Sequence, residues 1–146
     1  MSAPIEGEVL RFPAESGCFG CSTQNPAGLQ LAFRRRGDTI LCEYEIPDRF
    51  HGAPSVAHGG IVATIFDELS CAAVVFLRDR YVVTGELSVR YGKPCPVEKP
   101  LLFVARVVEE SHPKYAEVHC EAFYGDDRIA RSSGKFFYVE RNVSSP

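Results

Sequence analysis

The chain has 146 residues, 45% of them hydrophobic and 24% charged, which fits one compact domain and is too apolar for a disordered chain. Lys and Arg number 16 against 19 Asp and Glu, for a net charge of -3. That is the wrong sign for sequence-independent nucleic-acid binding. No apolar run is read as approaching the ~20 residues of a membrane span, and Met1 to Phe12 lack the apolar core of a secretory signal. A cytoplasmic protein with no membrane partner is expected.

In chain order, residues 1–17 mix polar, Gly and Pro residues and read as an N-terminal extension over the surface. One domain is expected over 18–140 and a frayed C-terminal tail over 141–146. Cys18 to Gly28 is turn-rich, with a tight turn at Asn25-Pro26-Ala27-Gly28. Leu29, Leu31 and Phe33 alternate with Gln30, Ala32 and Arg34, the pattern of a half-buried strand. Arg36-Gly37-Asp38 reads as a hairpin turn into a second strand carrying Ile40, Cys42, Tyr44 and Ile46 on one face. Pro47 to Pro54 breaks the regularity.

Gly59 to about Leu77 predicts one long helix, with Ile61, Val62, Ile65, Phe66, Leu69, Ala72, Ala73 and Phe76 at helical spacing. Its far side is small rather than charged, as in a helix largely covered by a sheet. Strands follow at Tyr81–Tyr91, Leu101–Glu110, Ala116–Tyr124 and Ile129–Val139, with short links at Ser111-His112-Pro113 and Gly125-Asp126-Asp127. They read as one meander. A single long helix against an antiparallel sheet of about six strands is α+β.

Six cysteines occur, at 18, 21, 42, 71, 95 and 120. The last four stand singly in apolar segments and read as reduced, mostly buried thiols. Cys18-Phe-Gly-Cys21 is one C-x-x-C without a second copy to complete a zinc site, so no stoichiometric metal is expected.

Two features at the helix could carry chemistry. His58-Gly59-Gly60 stands where it begins, and adjacent glycines there let a ligand approach bare amides at the positive end of the helix dipole. The alternative is a tight loop-to-helix turn that simply needs glycine. Asp67 lies seven residues after Gly60, within ~20° of two full turns, so it shares that face about 10 Å further along. A carboxylate there is costly unless hydrogen-bonded or functional; the alternative is a side chain that is partly exposed or merely bonded to a strand. Its neighbour Glu68 points ~100° away and is expected to be the solvated one. Ten ångströms is too far for one carboxylate to serve a carbonyl held by its own Gly60 amide, so joint action implies a second copy of the helix alongside.

The segment Ala57-His58-Gly59-Gly60-Ile61-Val62-Ala63-Thr64-Ile65-Phe66-Asp67-Glu68 resembles the signature of hotdog-fold acyl-CoA thioesterases of the PaaI-like branch. The resemblance extends to Cys18-x-x-Cys21, Asn25-Pro26-x-Gly28-Leu29, Phe50-His51-Gly52 and Val83-Thr84-Gly85-Glu86-Leu87-Ser88-Val89-Arg90-Tyr91. It implies a long helix wrapped by an antiparallel sheet. It further implies Asp67 as general base or nucleophile, the Gly60 amide as oxyanion donor, His58 positioning the thioester, and Thr84 holding water or the carboxylate. Gly59, His51, Val83 and Gly85 are the implied substrate-binding positions, and Arg90, Tyr91 and Lys93 the candidates for coenzyme A phosphates, with Arg131 and Lys135 behind them. The implied partners are an acyl-CoA substrate and further copies of the chain, a homodimer assembling into a homotetramer. No cofactor is implied. No Gly-x-Ser-x-Gly elbow accompanies any serine. The reading from another class is a noncatalytic acyl-CoA-binding protein, which needs no carboxylate at Asp67.

Overall fold

The structure, a computed structural model, describes residues 7–13, 16–108 and 112–140. Its elements are β1 (Val9–Leu10), β2 (Phe33–Arg36), β3 (Thr39–Glu45), α1 (Gly59–Arg78), β4 (Val82–Tyr91), β5 (Pro100–Val107), β6 (Tyr115–Tyr124) and β7 (Asp127–Tyr138). The strands form one antiparallel sheet of seven in the order β1-β2-β3-β5-β6-β7-β4, with α1 packed across it. This is the expected α+β hotdog architecture, with one more strand than expected, because Val9 and Leu10 pair with Arg34 and Phe33. The expected extension of β5 to Glu110, Ser111 of the following link, and the 141–146 tail lie outside the described residues.

Two expectations about the strands are corrected. The four strands after the helix are not one meander. β5, β6 and β7 follow one another, whereas β4 crosses to the far edge beside β7, and β3 pairs with β5. The strand expected from Leu29 begins only at Phe33. Leu29, Leu31 and Phe33 are buried as their alternation requires, but Gln30 has φ 56, which breaks extended geometry. The amides of Leu29 and Leu31 donate instead to the carbonyls of Phe19 and Gly20, both at 2.9 Å.

The sheet face toward α1 carries Ile40, Cys42, Leu101, Phe103, Ala105, Ala116, Val118, Cys120, Ala122 and Phe136, all buried. The alanines let the helix approach, and Phe66 meets Phe103 edge-on at 5.5 Å between ring centroids. Val62, Ile65, Phe66, Leu69 and Val74 of α1 are fully buried. Each contributes about 1.5–3 kcal/mol. By length and composition α1 is apolar enough to cross a membrane, which corrects the expectation that no segment approaches a span. In this fold its apolar face is covered by the sheet. Asp79, left-handed at φ 53, caps its end through an N–H bond to Val75 O.

Candidate functional site

The start of α1 is held by a short loop. His58 N–H donates to Phe50 O at 2.9 Å, and Ala57 N–H donates to Cys95 O at 2.8 Å. His58 is the N-cap, its ring Nδ1 accepting the Gly60 N–H at 2.9 Å, while the amides of Ile61 and Val62 donate to His58 O. Nδ1 as acceptor places the neutral ring's proton on Nε2. The amide expected to polarise a carbonyl, that of Gly60, is thus engaged by His58. The Gly59 N–H is the first-turn amide with no protein acceptor among the described residues. Gly59 is exposed, and its carbonyl accepts the Tyr91 hydroxyl at 2.5 Å. Tyr91 thereby joins the end of β4 to the first turn of the helix. A β-carbon on Gly59 would lie 3.4 Å from the Tyr91 hydroxyl.

Asp67 is half-buried in the middle of α1. The Thr84 hydroxyl donates to its Oδ1 at 2.6 Å, and Cys71 Sγ lies 3.9 Å from the same hydroxyl. Burial, then the neighbouring Asp67 charge, pushes the Cys71 thiol up to about 12, so it is a poor nucleophile at neutral pH. Thr84 points at the helix because β4 carries a bulge between Thr84 and Glu86. The extra residue is Gly85, whose missing β-carbon leaves room for the Phe137 ring: Cε2 would stand 2.2 Å away. A bulge re-aims the side chains on either side of it. Here Thr84, Leu87, Val89 and Tyr91 pair across from helix-facing residues of β7, whereas Val83, Glu86, Ser88 and Arg90 pair with residues of the outer face.

That parity separates residues expected to act together. Arg90 lies on the outer face opposite Arg131. There, with Arg106 and Arg128, the two line a concavity of about 460 Å³. Val83 is on the outer face against Phe137 and is 53% exposed. Lys93 pairs with Asp127 at 3.4 Å and Lys135 with Glu86 at 3.9 Å. His51 stays near the helix start through its bridge to Ala57, and its Nδ1 lies 2.6 Å from Asp48 O. Thus Gly59, Gly60, His58, His51 and Tyr91 gather at one end of the helix, and Asp67, Thr84 and Gly85 at its middle. Arg90, Arg131, Val83 and Lys93 belong to neither group.

Glu68 is the residue whose expected place was wrong. It is half-buried and accepts the Cys18 thiol at 3.3 Å. Burial pushes its carboxyl up from its ordinary value, partly opposed by hydrogen bonds from Cys18 and Cys21. The sequence does carry a signal for this. Its neighbours at i−3 and i+4, Ile65 and Ala72, are both fully buried, so Glu68 sits on the edge of the apolar stripe. All six cysteines are free thiols, with Cys21, Cys42, Cys95 and Cys120 buried and Cys18 and Cys71 half-buried.

The family model of the thioesterase superfamily matches residues 55–130, a span that holds both the helix start and the Asp67–Thr84 pair. No curated protein matches the chain. Among solved structures, one described as a thioesterase superfamily protein superposes with a TM-score of 0.77 at 18% identity, covering 92% of this chain and 69% of its own. A Streptococcus mutans protein, solved bound to acetyl CoA, gives 0.67 at 20% identity over 75% of this chain and 88% of its own. A phenylacetic acid degradation-related protein from Ralstonia eutropha gives 0.66 at 17% identity over 76% and 86%. At these identities the likeness is one of fold.

Proposed function

Because the chain belongs to the thioesterase superfamily, we propose that it hydrolyses an acyl-CoA thioester: water adds the elements of OH to the acyl carbon and of H to the departing sulfur, giving free acid and coenzyme A. The observation that carries this reading is the Asp67 carboxylate, half-buried, held by the Thr84 hydroxyl at 2.6 Å and facing no cation among the described residues. A carboxylate so placed takes a proton from water as general base, or attacks the acyl carbon directly as nucleophile.

The developing oxyanion needs donors at a helix N-terminus. The Gly59 N–H is open to it. The Gly60 N–H joins once His58 Nδ1 turns away, which would leave the ring's Nε2–H free to position the thioester. Asp67 and Gly60 are about 10 Å apart along one helix, so the two groups are brought to one carbonyl by a second copy. The free edge of β4, ten residues long, carries Thr84 and Tyr91. It offers unpaired backbone groups to that copy. The reading is a dimer with two shared sites, two such dimers making a tetramer.

A hydrolysis screen over short, long and aromatic acyl-CoAs, with acyl carried on a carrier protein as a further arm, tests this. Turnover that disappears in Asp67→Ala supports it. Binding without turnover overturns it in favour of an acyl-CoA-binding protein.

A further inference from the structure

We propose that Cys18, Cys21 and Glu68 form a three-ligand site for Zn²⁺ that clasps the loop over residues 18–31 to the middle of α1. The sequence supplies only two of these ligands in proximity, and the fold brings the third. The two thiol sulfurs and a Glu68 oxygen all lie within 4.8 Å of one another, with Cys18 Sγ 3.3 Å from Glu68 Oε1. Tetrahedral zinc, with sulfur at ~2.3 Å and carboxylate oxygen at ~2.0–2.2 Å, holds its ligand atoms roughly 3.5–3.8 Å apart. Small side-chain adjustments reach that geometry.

The surrounding backbone is built for the carboxylate. A β-carbon on Gly20, between the cysteines, would stand 2.3 Å from Glu68 Cγ, so only glycine admits the side chain at this approach. The loop is fixed by Ser22 N–H to Cys18 O at 3.0 Å, and by the Leu29 and Leu31 amides donating to Phe19 O and Gly20 O. Cys21 is 5% exposed, which limits competition from water.

Two thiolates select a borderline-soft cation over magnesium or calcium. Without metal the three groups are would-be anions crowded together. Zn²⁺ displaces both thiol protons, and the carboxyl proton where one is held, so two or three protons leave per ion bound. The Zn²⁺ with two thiolates and one carboxylate carries a net charge of about −1, and water takes the fourth position. Cys42 and Cys95 are buried thiols outside this cluster and serve as internal controls.

The test uses the full chain, stripped of metal under reducing conditions and titrated with Zn²⁺ against a chromophoric chelator. One Zn²⁺ per chain is expected. Cys18→Ser and Cys21→Ser should each weaken binding by more than about 100-fold, beyond the ~10–100-fold that outer-shell changes cost, and Glu68→Gln by at least about 10-fold. In case the variants fold poorly, the unmodified chain has two further readouts. Co²⁺ should show a thiolate charge-transfer band, and Zn²⁺ should slow alkylation of Cys18 and Cys21 without changing that of Cys42 and Cys95. Absence of binding, binding that survives both cysteine substitutions or Glu68→Gln, or a Co²⁺ spectrum without thiolate character overturns the site. None of these readouts depends on thioester hydrolysis.

Discussion

The Thr84 hydroxyl donates to Asp67 Oδ1 at 2.6 Å, so the edge strand β4 and the middle of α1 meet through one charge-assisted hydrogen bond. The bond leaves Asp67 its second oxygen. Positioned acid–base groups contribute about 10²–10⁴-fold to rate. Asp67→Asn should therefore lower kcat by that factor with melting unchanged within a few degrees. Hydrogen bonds to charged groups are worth about 1.5–3 kcal/mol, so Thr84→Val should lower kcat by roughly 10–100-fold, and Thr84→Ser should restore most of it. Near-normal turnover in Asp67→Asn removes that carboxylate from the reaction.

Gly85 controls whether that bond forms. A β-carbon there would meet the Phe137 ring, with Cε2 at 2.2 Å. Overpacking of this kind costs about 1–3 kcal/mol, and Gly85→Ala should lose that much stability in urea unfolding. Phe137 is 37% exposed, so its ring can be removed without opening the core. In a double-mutant cycle Phe137→Ala should recover most of the loss. Additive effects of the two substitutions would show that the ring is not what excludes a side chain at 85.

Periodicity made the helix and the inward faces of the strands legible, because burial follows local repeat. Ile40 and Cys42 point inward, as does the stripe from Val62 to Ala73. Pairing partners are set over long range, and local pattern does not report them. Nothing around Val82 marks β4 for the far edge beside β7. Leu29 and Leu31 alternate like a strand, yet bond to the cysteine loop. Arg90 and Tyr91 look like one binding patch, but adjacent strand residues face opposite sides, and the bulge at Gly85 sets which of the two faces inward. It sends Tyr91 to the helix start and Arg90 to the outer face. The His58–Gly60 cap was hidden for another reason: the motif that resembles an oxyanion site is also an N-cap, and only the side-chain rotamer distinguishes them.

Glu68 gives a pH signature in metal-free protein. Burial raises its carboxyl above the ordinary value of 4.5, so the folded state holds this proton more tightly than the unfolded one. A group raised in this direction contributes stability below the unfolded value and loses it as pH rises through the folded one. With chelator present, the melting temperature of the unmodified chain should fall relative to Glu68→Gln as pH rises from about 4 toward neutrality, at which the variant is the more stable. Parallel melting curves across that range would mean that Glu68 is not held protonated by burial.

The proposed shared site makes a prediction that no single-chain site can meet. The Gly59 N–H is the open donor at the helix start, and Asp67 is about 10–12 Å further along the same axis. A reacting carbon must approach its attacking atom to ~3–3.5 Å, so one helix cannot serve both ends of one thioester. Gly59 is the first residue of α1, the position where proline fits a helix best because its missing N–H is not part of the intrahelical ladder. Gly59→Pro thus deletes the open amide while leaving the His58–Gly60 cap and the helix in place. Each parent, Gly59→Pro and Asp67→Ala, should be nearly inactive. Co-expressed, they should form hybrid dimers in which both lesions fall in one site and the other site is whole. Hybrids isolated by two affinity tags should recover up to about half the unmodified activity per dimer. The measurement is hydrolysis by the doubly purified hybrid, with circular dichroism and melting to verify folding of all three species. Folded hybrids as inactive as their parents, or a fully active monomer, would sink the shared-site arrangement.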